Sequence, residues 1–188
     1  MANWYTADTH FGHENVIAHC VRPFRSTSHM DSILIENMWK VVGPEDVLWI
    51  IGDFAFGPAA KDEDYLLRTF EQLPGKEKHL VIGNHDGPHT RELPWYSVGL
   101  LAVEPDGSFK QNYTLCHYPM ITWNHARRGA LQLFGHVHGN WRGSRNSVNV
   151  GVDVWDFTPI RFADVERRAR GVPVIKHWAD AEARMVLC

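Results

Sequence analysis

Apolar runs punctuate this chain, and each ends abruptly in polar, chemistry-bearing residues. The runs are Trp4-Tyr5-Thr6-Ala7, Val47-Leu48-Trp49-Ile50-Ile51, Leu80-Val81-Ile82, Tyr113-Thr114-Leu115-Cys116 and Leu131-Gln132-Leu133-Phe134. Short runs rich in β-branched and aromatic residues predict buried strands. Between them the period changes. Ile33, Leu34, Met38, Val41 and Val42 recur at helical spacing behind Ser28-His29-Met30-Asp31, a near capping box, and Gly43-Pro44 stops that helix. A second helix is predicted from about Ala59 to Leu73, with Tyr65, Leu66, Phe70 and Leu73 inward.

Later in the chain, strands follow one another. Val98–Val103 and Ser108–Cys116 read as a hairpin through Pro105-Asp106-Gly107. Ser147–Asp153 alternates Val148, Val150 and Val152 as a strand. Thr158-Pro159 reads as an N-cap followed by a first-turn proline, with Gly171 closing that helix. A short tail helix from Lys176 would carry Trp178 and Met185. Early alternation of strand and helix, then strands in succession, predicts an α/β fold of two packed sheets flanked by helices.

The 188 residues, 44% hydrophobic and 22% charged, suit one globular domain spanning 1–188. A net charge of −3 argues against a generally basic nucleic-acid binder. Cys20, Cys116 and Cys188 are odd in number and widely spaced, which favours a reducing compartment. No signal peptide or spanning segment is read, so the expected location is cytoplasmic, with no membrane partner.

The chemistry lies directly after the apolar runs, in Asp8-Thr9-His10, Gly52-Asp53, Gly83-Asn84-His85-Asp86, His117 and Gly135-His136-Val137-His138. In α/β sheets ligands collect beyond the carboxyl ends of strands, so these groups are expected to converge as a metal centre. Each block alone admits a plainer reading: a turn, a surface histidine pair, or a satisfied core histidine. A carboxylate at Asp53 is costly to bury without partners, which a cation would supply. Of the twelve histidines, the seven outside these blocks read mostly as surface or helix-face residues. His13 is ambiguous because it follows the first block so closely.

Taken in order, Asp-x-His, Gly-Asp, Gly-Asn-His-Asp, His and Gly-His-x-His resembles the calcineurin-like metallophosphoesterase family, over most of the chain from Asp8 to His138. The resemblance implies a double β-sandwich with a two-metal site at the sheet edge. It implies Asp8, His10 and His138 on one metal, Asn84, His117 and His136 on the other, and Asp53 bridging them. His85 would be catalytic, off the metals and facing the phosphate, with Asn84, His85 and Arg142 touching substrate. The mixed nitrogen and oxygen donors suit manganese, iron, zinc, cobalt or nickel better than calcium or magnesium. The implied reaction is phosphate-ester hydrolysis by in-line attack of a metal-bridging hydroxide, phosphodiesters favoured, with His85 stabilising the phosphate or protonating the leaving group.

One departure narrows the choice. In the phosphoprotein-phosphatase branch the Gly-Asp block is followed by another Asp and then Arg-Gly, whereas here it reads Gly52-Asp53-Phe54-Ala55-Phe56-Gly57. The chain is closer to small bacterial and phage members. Alternatives are a phosphomonoesterase, a nuclease, a non-catalytic scaffold such as the family's retromer subunit, or a single structural zinc site. Trp123, His125, Arg127, Arg128, Trp141, Arg142 and Arg145 offer either a phosphate- and base-binding rim, with nucleic acid as a possible substrate, or an ordinary solvated surface.

Overall fold

The computed structural model describes residues 1–105, 112–176 and 178–182. Two five-stranded sheets face each other. The first is built from β1 (Asn3–Thr6), β2 (Val47–Ile51), β3 (Glu77–Val81) and β4 (Ser97–Gly99), all parallel, with β10 (Ile160–Arg161) antiparallel on β1. The second runs β5 (Ala102–Pro105), β6 (Asn112–Leu115), β7 (Gln132–Phe134), β9 (Ser147–Asn149) and β8 (Gly143–Ser144); β6, β7 and β9 are mutually parallel. The helices are α1 (Glu14–His19), α2 (Thr27–Val41), α3 (Glu63–Glu71), α4 (Pro88–Arg91), α5 (Phe162–Gly171) and α6 (Trp178–Ala181).

Strand β2 explains the layering. All five of its residues are buried, because each face meets a different layer. Leu48 and Ile50 join Met30, Leu34 and Met38 of α2 and Leu66 and Phe70 of α3 in one core. Val47, Trp49 and Ile51 point the other way, against Tyr113, Leu115, Leu133 and Val148 of the second sheet. The predicted architecture of two packed sheets flanked by helices is therefore the observed one.

Local details differ from the sequence reading. Helix α2 is capped by Ser26, whose hydroxyl accepts the His29 N–H, and not by Ser28. The helix expected from Ala59 begins as a single tight turn at Ala59–Lys61, and α3 starts only after Asp62, whose carboxylate accepts the Tyr65 N–H. The stretch 98–103 is not one strand. Its first half pairs with β3 and its second with β6, so the chain crosses from one sheet to the other near Leu100. β5 and β6 are antiparallel, as a hairpin requires; the turn at Asp106-Gly107 and the start of the strand at Ser108 lie outside the described residues.

Ser147–Asp153 is strand only to Asn149. Asn149 Oδ1 accepts the Gly151 N–H, and the chain turns at Val152–Val154. Thr158-Pro159 caps nothing. β10 intervenes, and α5 is closed at its start by Asp164 accepting the Arg161 N–H. In the tail helix Trp178 packs on Trp123, and Met185 lies outside the described residues. Among the described residues, no helix is long and apolar enough to cross a membrane.

Candidate metal centre

Parallel β1, β2 and β3 end on the same edge as parallel β6 and β7, and backbone hydrogen bonds hold the segments beyond those ends together. Asp8 N–H donates to Gly52 C=O and His10 N–H to Asp53 C=O, both at 3.0 Å. Across the sheets, Gly135 N–H donates to His117 C=O at 3.0 Å, and His136 N–H donates to Asp8 Oδ1 at 2.9 Å. Gly52 is required at its position: its φ is +83°, and a Cβ there would lie 2.3 Å from His117 Nδ1.

The chain turns hard to aim these side chains. Asp8, His10, Asp53, His136 and His138 all adopt left-handed φ, from 49° to 70°. Non-glycine residues rarely adopt that region, and its cost, about 1–3 kcal/mol each, is borne where the surrounding structure fixes it, as at functional sites.

The side chains form two groups joined by one carboxylate. Asp8, His10 and His138 present potential ligand atoms within 4.8 Å of one another, as do Asp53, His117 and His136. Asp53 Oδ2 lies 3.5 Å from His10 Nε2 in the first group and 3.4 Å from His117 Nε2 in the second. Asn84 Oδ1 lies 3.2 Å from the same His117 nitrogen. His85 Nε2 is farther from Asp53 Oδ2, at 3.9 Å, and its backbone N–H holds Asp53 Oδ1 at 2.9 Å.

Hydrogen bonds fix which ring nitrogens face inward. His117 Nδ1–H donates to the Ile51 carbonyl at 2.9 Å, leaving Nε2 toward Asp53. His138 Nδ1–H donates to Asp153 at 2.8 Å, leaving Nε2 for the centre. This is the arrangement by which metal-ligating histidines are usually oriented. Asp8 Oδ2 and both nitrogens of His10 are buried without a hydrogen-bond partner. Buried polar atoms are normally satisfied, and a cation in the first group would satisfy Asp8 Oδ2 and one nitrogen of His10. The donor set fits two divalent transition-metal ions.

Burial and neighbouring charges set the protonation of the metal-free centre. Burial pushes His10 down to about 2, so its imidazole is neutral. Burial lifts Asp8 to about 6. For His117 burial pulls downward, but the hydrogen bond and charge of Asp53, with Asp8, lift it to about 9. Asp53 reciprocates: burial raises it, yet His117 and the His85 N–H hold it at about 2.

Supporting residues went unread in the sequence. Buried Arg22 donates to the Asp8 and Thr9 carbonyls and pairs with Asp153 at 2.7 Å, so one guanidinium steadies both the first ligand loop and the carboxylate behind His138. Asn149 Nδ2 donates to the His138 and Trp141 carbonyls. Asp86 accepts the backbone N–H groups of Gly83, Asp53 and Phe54 and thus ties the β2 and β3 loops together, outside both candidate ligand groups. Phe56 stands edge-on to His85 at 4.3 Å, and His13 packs on the same ring at 4.2 Å. The local signals for these were Asp86 within the Gly83-Asn84-His85-Asp86 block and the nearness of His13 to the first block.

The predicted rim does not assemble at the centre. Arg142 is exposed, lies beside Arg168 and lines neither the cleft at His10 and His138 nor the one that adjoins it at His85. Trp123 is buried in a satellite core with Ala126, Ala130 and Trp178. Arg127 pairs with Glu182, and Trp141 stacks on Phe134. Of the other histidines, His79 stacks on Trp49 and His89 pairs with Glu63.

No protein-family model matches the chain. A protein of unknown function from Aquifex aeolicus, AQ665, has a similar crystal structure, with a TM-score of 0.69 and 27% identity over 89% of this chain and 98% of that one. The uncharacterized protein MJ1445 of Methanocaldococcus jannaschii is 29% identical over 82% of this chain and 83% of its own length. The gene 66 protein of Mycobacterium phage L5 is 26% identical over 82% of this chain and 88% of its own. The gene 66 protein of Mycobacterium phage D29 is 32% identical over 85% of this chain and 93% of its own, and the chain belongs to the family of that phage protein.

Proposed function

We propose that this chain is a two-metal phosphoesterase of the calcineurin-like metallophosphoesterase type, acting on phosphodiesters. The observation that carries the reading is Asp53 Oδ2, set between His10 of one ligand group and His117 of the other while Asp8 Oδ2 and the ring nitrogens of His10 are buried without a hydrogen-bond partner. Asp8, His10 and His138 would hold one divalent ion, and Asn84, His117 and His136 the other, with Asp53 shared. Manganese, iron, zinc, cobalt and nickel all suit these donors. When bound, such a pair supplies a water of lowered pKa and a clamp on phosphoryl oxygens.

The chain's own residues supply the rest. His85 is half-exposed and off the ligand groups, where it can meet a phosphate oxygen and hand a proton to the departing alkoxide. Phe56 packs edge-on against its ring at 4.3 Å. Arg142 lines neither cleft and has no part in this reading. The cysteines Cys20 and Cys116 are free thiols, which supports a cytoplasmic setting.

The test is hydrolysis by metal-stripped protein restored with each candidate metal, against simple mono- and diesters, cyclic nucleotides and single-stranded nucleic acid, alongside metal stoichiometry. Two ions per chain with diester turnover, both lost in Asp53→Asn, is the expected result. One ion without turnover would favour a structural zinc, and two ions without turnover a scaffold. Monoester or nucleic-acid preference would shift the substrate to those alternatives.

A further inference from the structure

A cleft of about 700 Å³ opens on the centre at His10 and His138, and a second of about 750 Å³ adjoins it at Phe56 and His85. Each is within the range of about 300–1,000 Å³ usual for a drug-sized ligand, well beyond what a bare phosphate needs. They share two lining residues, Phe56 and His85, whose edge-on pair forms the wall between them. The 700 Å³ cleft contains the ligand histidines His10 and His138 and runs out past His13, Asn15 and Asn140. The 750 Å³ cleft lies on the far side of His85, among Pro58, Ala60, Pro88, Lys61 and His89.

We infer that the site takes an unsymmetrical phosphodiester whose two arms occupy these two clefts, divided by the Phe56–His85 wall. This rests on the phosphoesterase reading. The phosphorus must lie at the His10–His138 end of the first cleft, against the ligand groups. A leaving oxygen that His85 can protonate lies against the wall, so the departing arm passes over His85 into the second cleft. The arm that stays on phosphorus runs along the first cleft. The linings differ in kind, and so do the arms. Imidazoles and the Asn15 and Asn140 amides outnumber Val16, Cys20 and Val21 in the first and suit a hydroxyl-bearing, sugar-like arm, whereas proline, alanine and phenylalanine outnumber Lys61 and His89 in the second and suit a flat or apolar leaving arm. In the balanced reaction water adds to phosphorus and loses a proton to solvent, the bond to the leaving oxygen breaks, and an alkoxide takes a proton from His85, which regains one from solvent; a nitrophenolate leaves as the anion by the same route.

Two glycines allow each cleft to be filled separately. A Cβ at Gly139, in the first cleft, or at Gly87, in the second, would meet no atom within 4 Å, and neither residue has a left-handed φ. Gly139→Trp and Gly87→Trp are assayed, manganese-loaded, on thymidine 5′-p-nitrophenyl phosphate and methyl p-nitrophenyl phosphate, with bound metal measured on each. Gly139→Trp is expected to raise KM about tenfold or more for the thymidine ester but to change it less than about threefold for the methyl ester. Gly87→Trp is expected to raise KM about tenfold for both, since both lose an aryl group. Should either variant lose metal, Asn140→Trp and Lys61→Trp, at exposed positions on the same clefts, replace it. Equal losses on both esters at the first cleft, or undiminished turnover of both at the second, would overturn the arm assignment. No turnover of either ester by the metal-loaded parent protein would overturn the phosphoesterase reading itself, and the inference with it.

Discussion

Asp153 accepts the Nδ1–H of His138 at 2.8 Å while its other oxygen takes the guanidinium of Arg22 at 2.7 Å. The buried chain Arg22–Asp153–His138 fixes the tautomer and the aim of a proposed metal ligand. Asp153→Asn keeps an acceptor but removes the charge. Metal affinity is expected to fall about tenfold to a hundredfold, the usual cost of a lost supporting partner. The melting temperature should fall as well, because Arg22 is left as an uncompensated buried cation. Metal titration and thermal denaturation of the one variant check both; unchanged affinity would remove Asp153 from the centre.

Asp86 acts on the scaffold. Its carboxylate satisfies three buried N–H groups, those of Gly83, Asp53 and Phe54. Truncation leaves these donors unpaired at about 1–3 kcal/mol apiece, so Asp86→Ala is expected to lose about 3 kcal/mol or more of stability. Denaturant unfolding measures this directly. A loss below about 1 kcal/mol would mean that water takes over the three donors.

The acid–base state of the metal-free centre gives a prediction with a definite sign. His117 titrates at about 9 in the folded chain, above its ordinary ~6.5. Its contribution is therefore complete below ~6.5 and is lost as the pH rises through about 9. Asp53 is held at about 2, so its contribution is present above its ordinary ~3.9 and is lost as the pH falls through about 2. A bound metal displaces the His117 proton. The rise in melting temperature on adding manganese should therefore be larger at pH 8.5 than at pH 6, where Asp8, lifted to about 6 by burial, also begins to hold a proton. Thermal melts at the two pH values, with and without metal, decide it; a larger shift at pH 6 would contradict this picture.

His85 separates binding from chemistry. His85→Ala should retain both ions and lose turnover by roughly 10²–10⁴-fold, the scale of a positioned acid or base. The loss should be greatest for diesters with alkyl leaving groups and least for nitrophenolate, which departs without a proton. Metal content and a leaving-group series distinguish the outcomes. A lost ion would make His85 a ligand, and a uniform loss would leave it only a phosphate-binding role.

The sequence by itself determined the frame of the protein. Val47-Leu48-Trp49-Ile50-Ile51 had to be a strand covered on both faces, since five consecutive apolar residues cannot be hidden on one. The blocks from Asp8 to His138 were legible because each follows its strand directly, and a strand end carries the next residues to the sheet edge whatever the rest of the chain does. Tertiary structure decided what depends on distant pairs. Arg22 and Asp153 meet across 131 positions, and no periodicity records such a meeting. The apolar run 98–103 reads as one strand, yet it divides between two sheets because β3 and β6 compete for its backbone hydrogen bonds. The Phe56–His85 wall arises only when the loops after β2 and β3 are drawn together by Asp86. Local sequence sets which atoms arrive at the edge; packing between distant segments sets their protonation, their aim and the shape of the space in front of them.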